Sequence, residues 1–211
     1  TDVKKYTGTS PLPKFPFILG HEVSGIIEEA GENVDKNAFK IGDRVVTGNI
    51  ITCGHCKNCK DGSLEYVGLG ACKNHQVFGV TTDGGFAEYI TIPVGLVYKI
   101  PDNLSFHEAA LVEPVACCLN GVEKAEIGIQ DTVLVIGAGF MGLTCLELAK
   151  LKGARVIVSD VIDERLEVAK SLGADLVVNP RNEGLKDAIS KFNNGEYADA
   201  VICSVGGKIA F

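Results

Sequence analysis

Apolar positions change their rhythm near the middle of this chain. Before about Asn120 they come in short β-branched or aromatic runs, each broken by Gly, Pro or Asp. Val23 to Glu28, Arg44 to Thr47 and Phe86 to Ile92 read as strands, and Gly42-Asp43 supplies a turn ahead of the second. Ser105-Phe-His-Glu108 has capping-box spacing, which predicts a helix starting near Phe106. Pro114 should interrupt it, with a second helical run following to about Ala125. Beyond Asp131, compact apolar runs alternate with helical ones. Thr132 to Ile136 and Arg155 to Ser159 read as strands, as do Leu176 to Val178 and Ala200 to Cys203. Leu143 to Lys152 carries apolar residues at helical spacing and stops at Gly153. Asp163 should cap a helix reaching about Leu172, and a weaker helix spans Glu183 to Phe192. Strand–helix alternation implies a parallel sheet. The domain boundary is therefore expected near Asn120, and no internal repeat or low-complexity tract is present.

Composition changes this picture little. The 211 residues are 46% hydrophobic and 22% charged, ordinary for a globular protein and enough for one large domain or two small ones. A net charge of −7 argues against nucleic acid as a partner. No apolar stretch approaches the roughly 20 residues of a membrane helix. No leader pattern is seen at Thr1, so the cytoplasm is the expected compartment. The eight cysteines fall into two sets. Cys117, Cys118, Cys145 and Cys203 lie in apolar surroundings and read as small buried hydrophobes. Cys53, Cys56, Cys59 and Cys72 are clustered.

The cluster Cys53-Gly-His-Cys56-Lys-Asn-Cys59 continues to Cys72 after twelve intervening residues. Four thiolates can close a tetrahedral zinc site with no open position, a structural site that would lock a long loop. Cys53-Gly-His-Cys56 alone also fits a redox motif, which would leave the other two cysteines without a use.

Gly137-Ala-Gly139-Phe140-Met141-Gly142 matches the dinucleotide fingerprint, with a strand before it and a helix after it. Asp160 ends the next strand, at about the 20-residue distance expected. Gly137 would make the tight turn, Gly139 would admit a pyrophosphate, and Gly142 would allow close helix–strand packing. The helix N-terminus favours phosphate. Asp160 would accept hydrogen bonds from the adenosine ribose and repel a 2′-phosphate, favouring NAD over NADP. Arg165 would contact the adenine side or simply face solvent. The alternative is a βαβ turn that binds nothing.

Gly20-His-Glu-Val-Ser-Gly25, Gly42-Asp-Arg-Val45, the cysteine loop, Gly84-Gly-Phe-Ala-Glu-Tyr89 and the fingerprint occur in the order of the medium-chain zinc-dependent alcohol and polyol dehydrogenases. The chain resembles that family over nearly its whole length. The resemblance implies an α/β protein with a GroES-like, β-rich catalytic domain over residues 1–119. A Rossmann doubly wound parallel-sheet domain, incomplete here, would occupy residues 120–211, with the active site between the two. It implies a catalytic zinc held by a cysteine, by His21 and by a third residue matching Glu113, with Glu22 as a direct or switching ligand. Glu113-Pro114 is similar to the sorbitol dehydrogenase-like branch, where other members carry Cys. Thr1-Asp2 resembles the tail of the motif Cys-x-(Ser/Thr)-Asp, so the cysteine would precede Thr1, and Thr1 would hand on the substrate proton. The family's relay histidine would fall at Lys4. The gap between Cys59 and Cys72 is longer than usual.

The activity so implied is hydride transfer from a secondary alcohol, a polyol or sugar alcohol, to NAD, in a homo-oligomer (dimer or tetramer) without nucleic-acid or membrane partners. The alternatives are threonine or a sugar phosphate as substrate, or a non-catalytic NAD- or zinc-binding module. The chain is expected to be truncated at both ends relative to the family.

Overall fold

The computed structural model describes residues 2–9, 16–61 and 72–206. The chain forms two compact units, Thr1–Glu113 and Pro114–Phe211; the change of texture near Asn120 lies inside the helix that spans this junction, Val112–Lys124.

The first unit contains α1 (Asp2–Tyr6), β1 (Ser24–Ile26), β2 (Arg44–Thr47), β3 (Ile50–Ile51), α2 (Lys57–Lys60), β4 (Gln76–Val77), β5 (Val97–Lys99) and α3 (Phe106–Ala110). Strands β1, β2 and β5 form an antiparallel sheet with β2 in the middle. The pair β3–β4 is separate and also antiparallel. Val46 of β2 packs with Ile100, Ala109, Leu104 and Phe106. Arg44 holds the return chain: its guanidinium lies 4.6 Å from the centroid of the Phe106 ring and donates to the carbonyls of Pro101 and Asp102. At the start of α3 the capping box is formed. Glu108 N–H donates to Ser105 Oγ at 3.2 Å, and Ser105 N–H to Glu108 Oε2 at 2.8 Å.

Two expectations for this unit are corrected. Pro114 does not break a helix. The interruption is at Leu111, and Pro114 lies in the first turn of α4 (Val112–Lys124), where a missing N–H costs no intrahelical bond. Residues Phe86 to Ile92 form no strand. Phe86 and Tyr89 are both exposed, so no buried face organises an alternating strand. Instead the preceding glycines dock on the chain before His21. Gly84, Gly85 and Phe86 donate backbone N–H bonds of 2.8, 2.9 and 2.9 Å to Ile18, Gly20 and Leu19.

In the second unit, β6 (Thr132–Ile136), β7 (Arg155–Ser159), β8 (Leu176–Val178) and β9 (Ala200–Cys203) make a parallel sheet in the order β8-β7-β6-β9. Alternation on these strands serves two cores. Val133, Val135, Val156 and Val158 pack with Cys145, Leu146 and Ala149 of α5 (Phe140–Leu151), with Leu166 and Ala169 of α6 (Asp163–Ser171), and with Cys118 and Val122 of α4. Leu134, Ile157 and Val178 face the other way, against Ile189 of α7 (Leu185–Phe192). Helices thus cover both faces, which is why the strands read as continuous apolar runs.

Asp163 is not the cap of α6. Ile162 occupies that position and its N–H donates to Asp160 Oδ1 at 3.0 Å, while Asp163 accepts from Asn179 Nδ2 at 2.6 Å. Of the scattered cysteines, Cys118 and Cys145 are buried as expected, but Cys117 and Cys203 are exposed. Cys117 is turned away from its buried neighbour by one helical step, and Cys203 ends an outer strand. Among the described residues, no helix is long and apolar enough to cross a membrane.

Candidate metal centres and dinucleotide turn

The sulfur atoms of Cys53, Cys56, Cys59 and Cys72 gather within 4.8 Å of one another. Cys53 and Cys59 Sγ are 3.9 Å apart, and Cys56 and Cys59 Sγ 3.4 Å. A tetrahedral site with Zn–S bonds of about 2.3 Å requires sulfurs about 3.8 Å apart, so the donor set fits zinc. The cysteines are free thiols, and all four converge, whereas a redox pair needs only two. Helix α2 places Cys59 one turn beyond Cys56, and the backbone helps ionise the group. N–H bonds from His55 and then Cys56 pull the Cys53 thiol down to about 6. The N–H of Cys59 lowers Cys56. Cys59 is pushed up to about 12, chiefly by desolvation, the effect a cation at the centre would oppose. Part of the gap between Cys59 and Cys72, residues 62–71, lies outside the described residues.

A second group assembles from residues far apart in sequence. His21, Glu22 and Glu113 each bring one ligand atom to within 4.8 Å of the others. His21 follows a backbone threaded between glycines. A Cβ on Gly84 would lie 2.1 Å from Gly20 O, so no other residue permits that approach. After His21, Ser24 Oγ donates to Phe106 O at 2.6 Å and ties β1 to α3. Glu113 enters on the first turn of α4, and its Oε1 accepts from Asn49 Nδ2 at 2.9 Å.

Asp2 of α1 completes the surroundings. Its Oδ2 is 3.7 Å from His21 Nδ1, close but too long for a hydrogen bond. Asp2 Oδ1 and His21 Nδ1 are consequently both buried without a hydrogen-bond partner. A cation bound through the imidazole would repair this by making the ring N–H a stronger donor toward the carboxylate. With Nδ1 turned to Asp2, Nε2 is the nitrogen left for a metal. Thr1 lies outside the described residues. Lys4, at the expected relay position, is exposed. Two residues of this site were not singled out from sequence. Asp2 was visible only as the tail of a motif, and Asn49 carried no signal.

The glycine-rich turn is built as the fingerprint requires. Gly137 has φ +101°. Gly139 precedes α5 in an extended conformation without a side-chain cap, and no atom lies within 4 Å of where its Cβ would be. The first N–H groups of α5 are thus free for an anion. A Cβ on Gly142 would fall 1.8 Å from Gly137 O. Gly142→Ala is therefore expected to lower stability by about 1–3 kcal/mol, measurable as a lower urea midpoint. Phe140 is exposed, while Met141 Sδ lies 3.7 Å from buried Cys118 Sγ. Asp160 is 8% exposed. Its Oδ2 accepts from Ala138 N–H at 2.7 Å, and Arg165 Nη1 stands 3.8 Å from the same oxygen. The carboxylate therefore braces the turn itself, and Arg165 faces Asp160 before it faces any adenine.

Comparison with known proteins agrees with this construction. The family model of the alcohol dehydrogenase GroES-like domain matches residues 1–102, and that of zinc-binding dehydrogenase residues 141–211. The chain belongs to the medium-chain zinc dehydrogenase family. This member has a GroES-like unit followed by a Rossmann unit. It is 35% identical over its full length to a zinc-type alcohol dehydrogenase-like protein of Haemophilus influenzae, spanning 60% of that protein. It is 38% identical to an L-threonine 3-dehydrogenase of Pseudoalteromonas translucida, covering 93% of the chain and 55% of the relative. With a D-arabitol-phosphate dehydrogenase of Enterococcus avium it shares 33% over 98% of the chain and 58% of the relative. Two solved structures superpose closely. A zinc-binding dehydrogenase from Sinorhizobium meliloti bound to NADP has a TM-score of 0.88 at 33% identity, covering 99% of the chain and 60% of that structure. E. coli RspB complexed with NADH has 0.82 at 35%, covering 98% and 58%. The chain thus spans somewhat under two thirds of the length of these relatives.

Proposed function

We propose that the whole protein is a zinc-dependent, NAD-linked dehydrogenase that oxidises a secondary alcohol, with a polyol or sugar alcohol as its substrate class. The observation that carries this reading is the convergence of His21, Glu22 and Glu113 beside the partnerless Asp2–His21 pair. A cysteine ahead of Thr1 would join His21 and Glu113, with Glu22 adjacent. A bound zinc would supply Lewis acidity, lowering the pKa of an alcohol at its open position. The chain's own residues set up the rest. Asp2 orients the imidazole, Asn49 steadies Glu113, and the Thr1 hydroxyl would carry the substrate proton outward. A carboxylate in place of a thiolate gives a harder, more oxygen-rich donor set, which suits chelation by neighbouring hydroxyls. Cys53, Cys56, Cys59 and Cys72 would hold a second, closed zinc site.

The nicotinamide cofactor would place its pyrophosphate at the N-terminus of α5, and hydride chemistry belongs to that cofactor. Asp160 supports NAD. Asp160→Ala is expected to weaken NAD binding about tenfold or more, because a charged hydrogen-bond acceptor is lost, and to narrow the NAD/NADP gap. Fluorescence titration of both dinucleotides checks this; a parent protein that binds NADP as tightly as NAD contradicts the role given to Asp160. L-Threonine is the second reading, favoured by the 38% identity to a threonine dehydrogenase.

Metal analysis of the full-length protein, followed by NAD reduction assays with polyols, polyol phosphates and L-threonine, tests the proposal. Two zinc ions per chain and turnover of a polyol are expected. A single, sulfur-bound ion, or turnover only of threonine, overturns it.

A further inference from the structure

One buried cation has no use in the chemistry above. Lys5 of α1 is 4% exposed, and its Nζ donates to Gly79 O at 2.7 Å. Burying an amine is costly where an apolar side chain would fill the space more cheaply, so the donor itself needs an explanation. Burial pushes the Lys5 pKa down, and the Asp2 carboxylate partly offsets this.

We propose that Lys5 is a positioning residue for the His21 metal group: its bond to the Gly79 carbonyl fixes α1 so that the Asp2 carboxylate stays against the imidazole. The inference rests on the metal reading given under Proposed function. Asp2 and Lys5 are three positions apart on a helix and so share a face. Helix α1 has only five residues, too few to hold its place by propensity; an anchor outside it is required. Gly79 is a suitable anchor because it cannot shift. Its N–H donates to Thr82 O at 2.8 Å, and a Cβ placed on it would lie 2.3 Å from Gly20 O, the residue before His21. Contacts therefore run from Lys5 through Gly79 and Gly20 to the His21 backbone, and from Lys5 along α1 to Asp2 and the His21 ring. Both routes end at His21, one at its backbone and one beside its ring.

The test uses the full-length protein, with zinc affinity measured by chelator competition and the cobalt-substituted form followed by visible absorption. Lys5→Met keeps the unbranched chain and removes the donor. It is expected to weaken the His21-site metal about ten- to a hundredfold, as loss of an outer-shell partner does, and to shift the cobalt spectrum. NAD binding and the sulfur-bound metal should be unchanged. Lys5→Arg, which restores a donor, should recover affinity to within a few-fold. If Lys5→Met does not fold, Lys5→Leu, which also lacks a donor, replaces it under the same criteria. Parental affinity and spectrum in the donor-free variant overturn the inference whatever the change in melting temperature, and so does equal loss in the Met and Arg variants. A parent protein holding only the sulfur-bound metal overturns the metal reading itself, a result distinguishable from the others.

Discussion

His21→Ala is expected to abolish turnover while leaving NAD binding nearly intact. The imidazole is the nitrogen donor of the His21–Glu22–Glu113 group, and without it two carboxylates remain with no nitrogen to suit a soft-to-borderline cation. Lewis-acid stabilisation is worth several kcal/mol in a reaction of this kind, so the loss of rate should be on the order of a thousandfold or more. The dinucleotide turn is built from Gly137 to Gly142 and Asp160, all within the second unit, which is why NAD affinity should be spared. Zinc analysis should fall from two ions per chain to one. Unchanged turnover, or loss of NAD binding in parallel with activity, contradicts the assignment.

Cys72→Ala should act on stability before chemistry. Cys72 is 1% exposed, and its sulfur accepts the Cys53 N–H at 3.4 Å, so it closes the cluster from the far end of the loop. Metal binding at such a site is folding free energy. Removal of this ligand is expected to release the sulfur-bound zinc and to lower the melting temperature by roughly 10 °C or more. At low temperature, the remaining folded protein should keep its hydride-transfer rate, because a closed site offers no position to substrate. Retention of the ion with full stability would show that the four sulfurs do not act as one ligand set.

Both variants concern residues that local sequence spacing announced to different degrees. The cysteines are close in the chain and their spacing is itself the signal, so all four candidate ligands could be read without knowing the fold. His21, Glu22 and Glu113 carried no such local pattern; only motif order singled them out. Single polar residues say little about burial or partners, and convergence depends on how β1, α3 and the first turn of α4 pack.

The strands and helices beyond Asp131 were legible for a plain reason. A sheet covered on both faces demands unbroken apolar runs, and helices between them need apolar residues at helical spacing; β6, β7, β8 and β9 fall where those runs lie. Residues Phe86 to Ile92 misled because aromatic, β-branched composition reports the capacity to pair, and there Gly84, Gly85 and Phe86 spend their backbone donors on Ile18, Gly20 and Leu19 in a turn-like docking that does not continue as a strand. Local pattern was enough for the parallel alternation, the glycine turn with its acidic partner, and the clustered sulfur donors, each a consequence of short-range periodicity or spacing. Packing between distant segments set that Asn49 bonds Glu113, that Asp2 faces His21, that Asp160, expected to accept from a ribose, also braces the turn, and that Lys5 is buried. These are contacts between distant segments, and their energies depend on burial and on distances of a few ångströms, which no local pattern encodes.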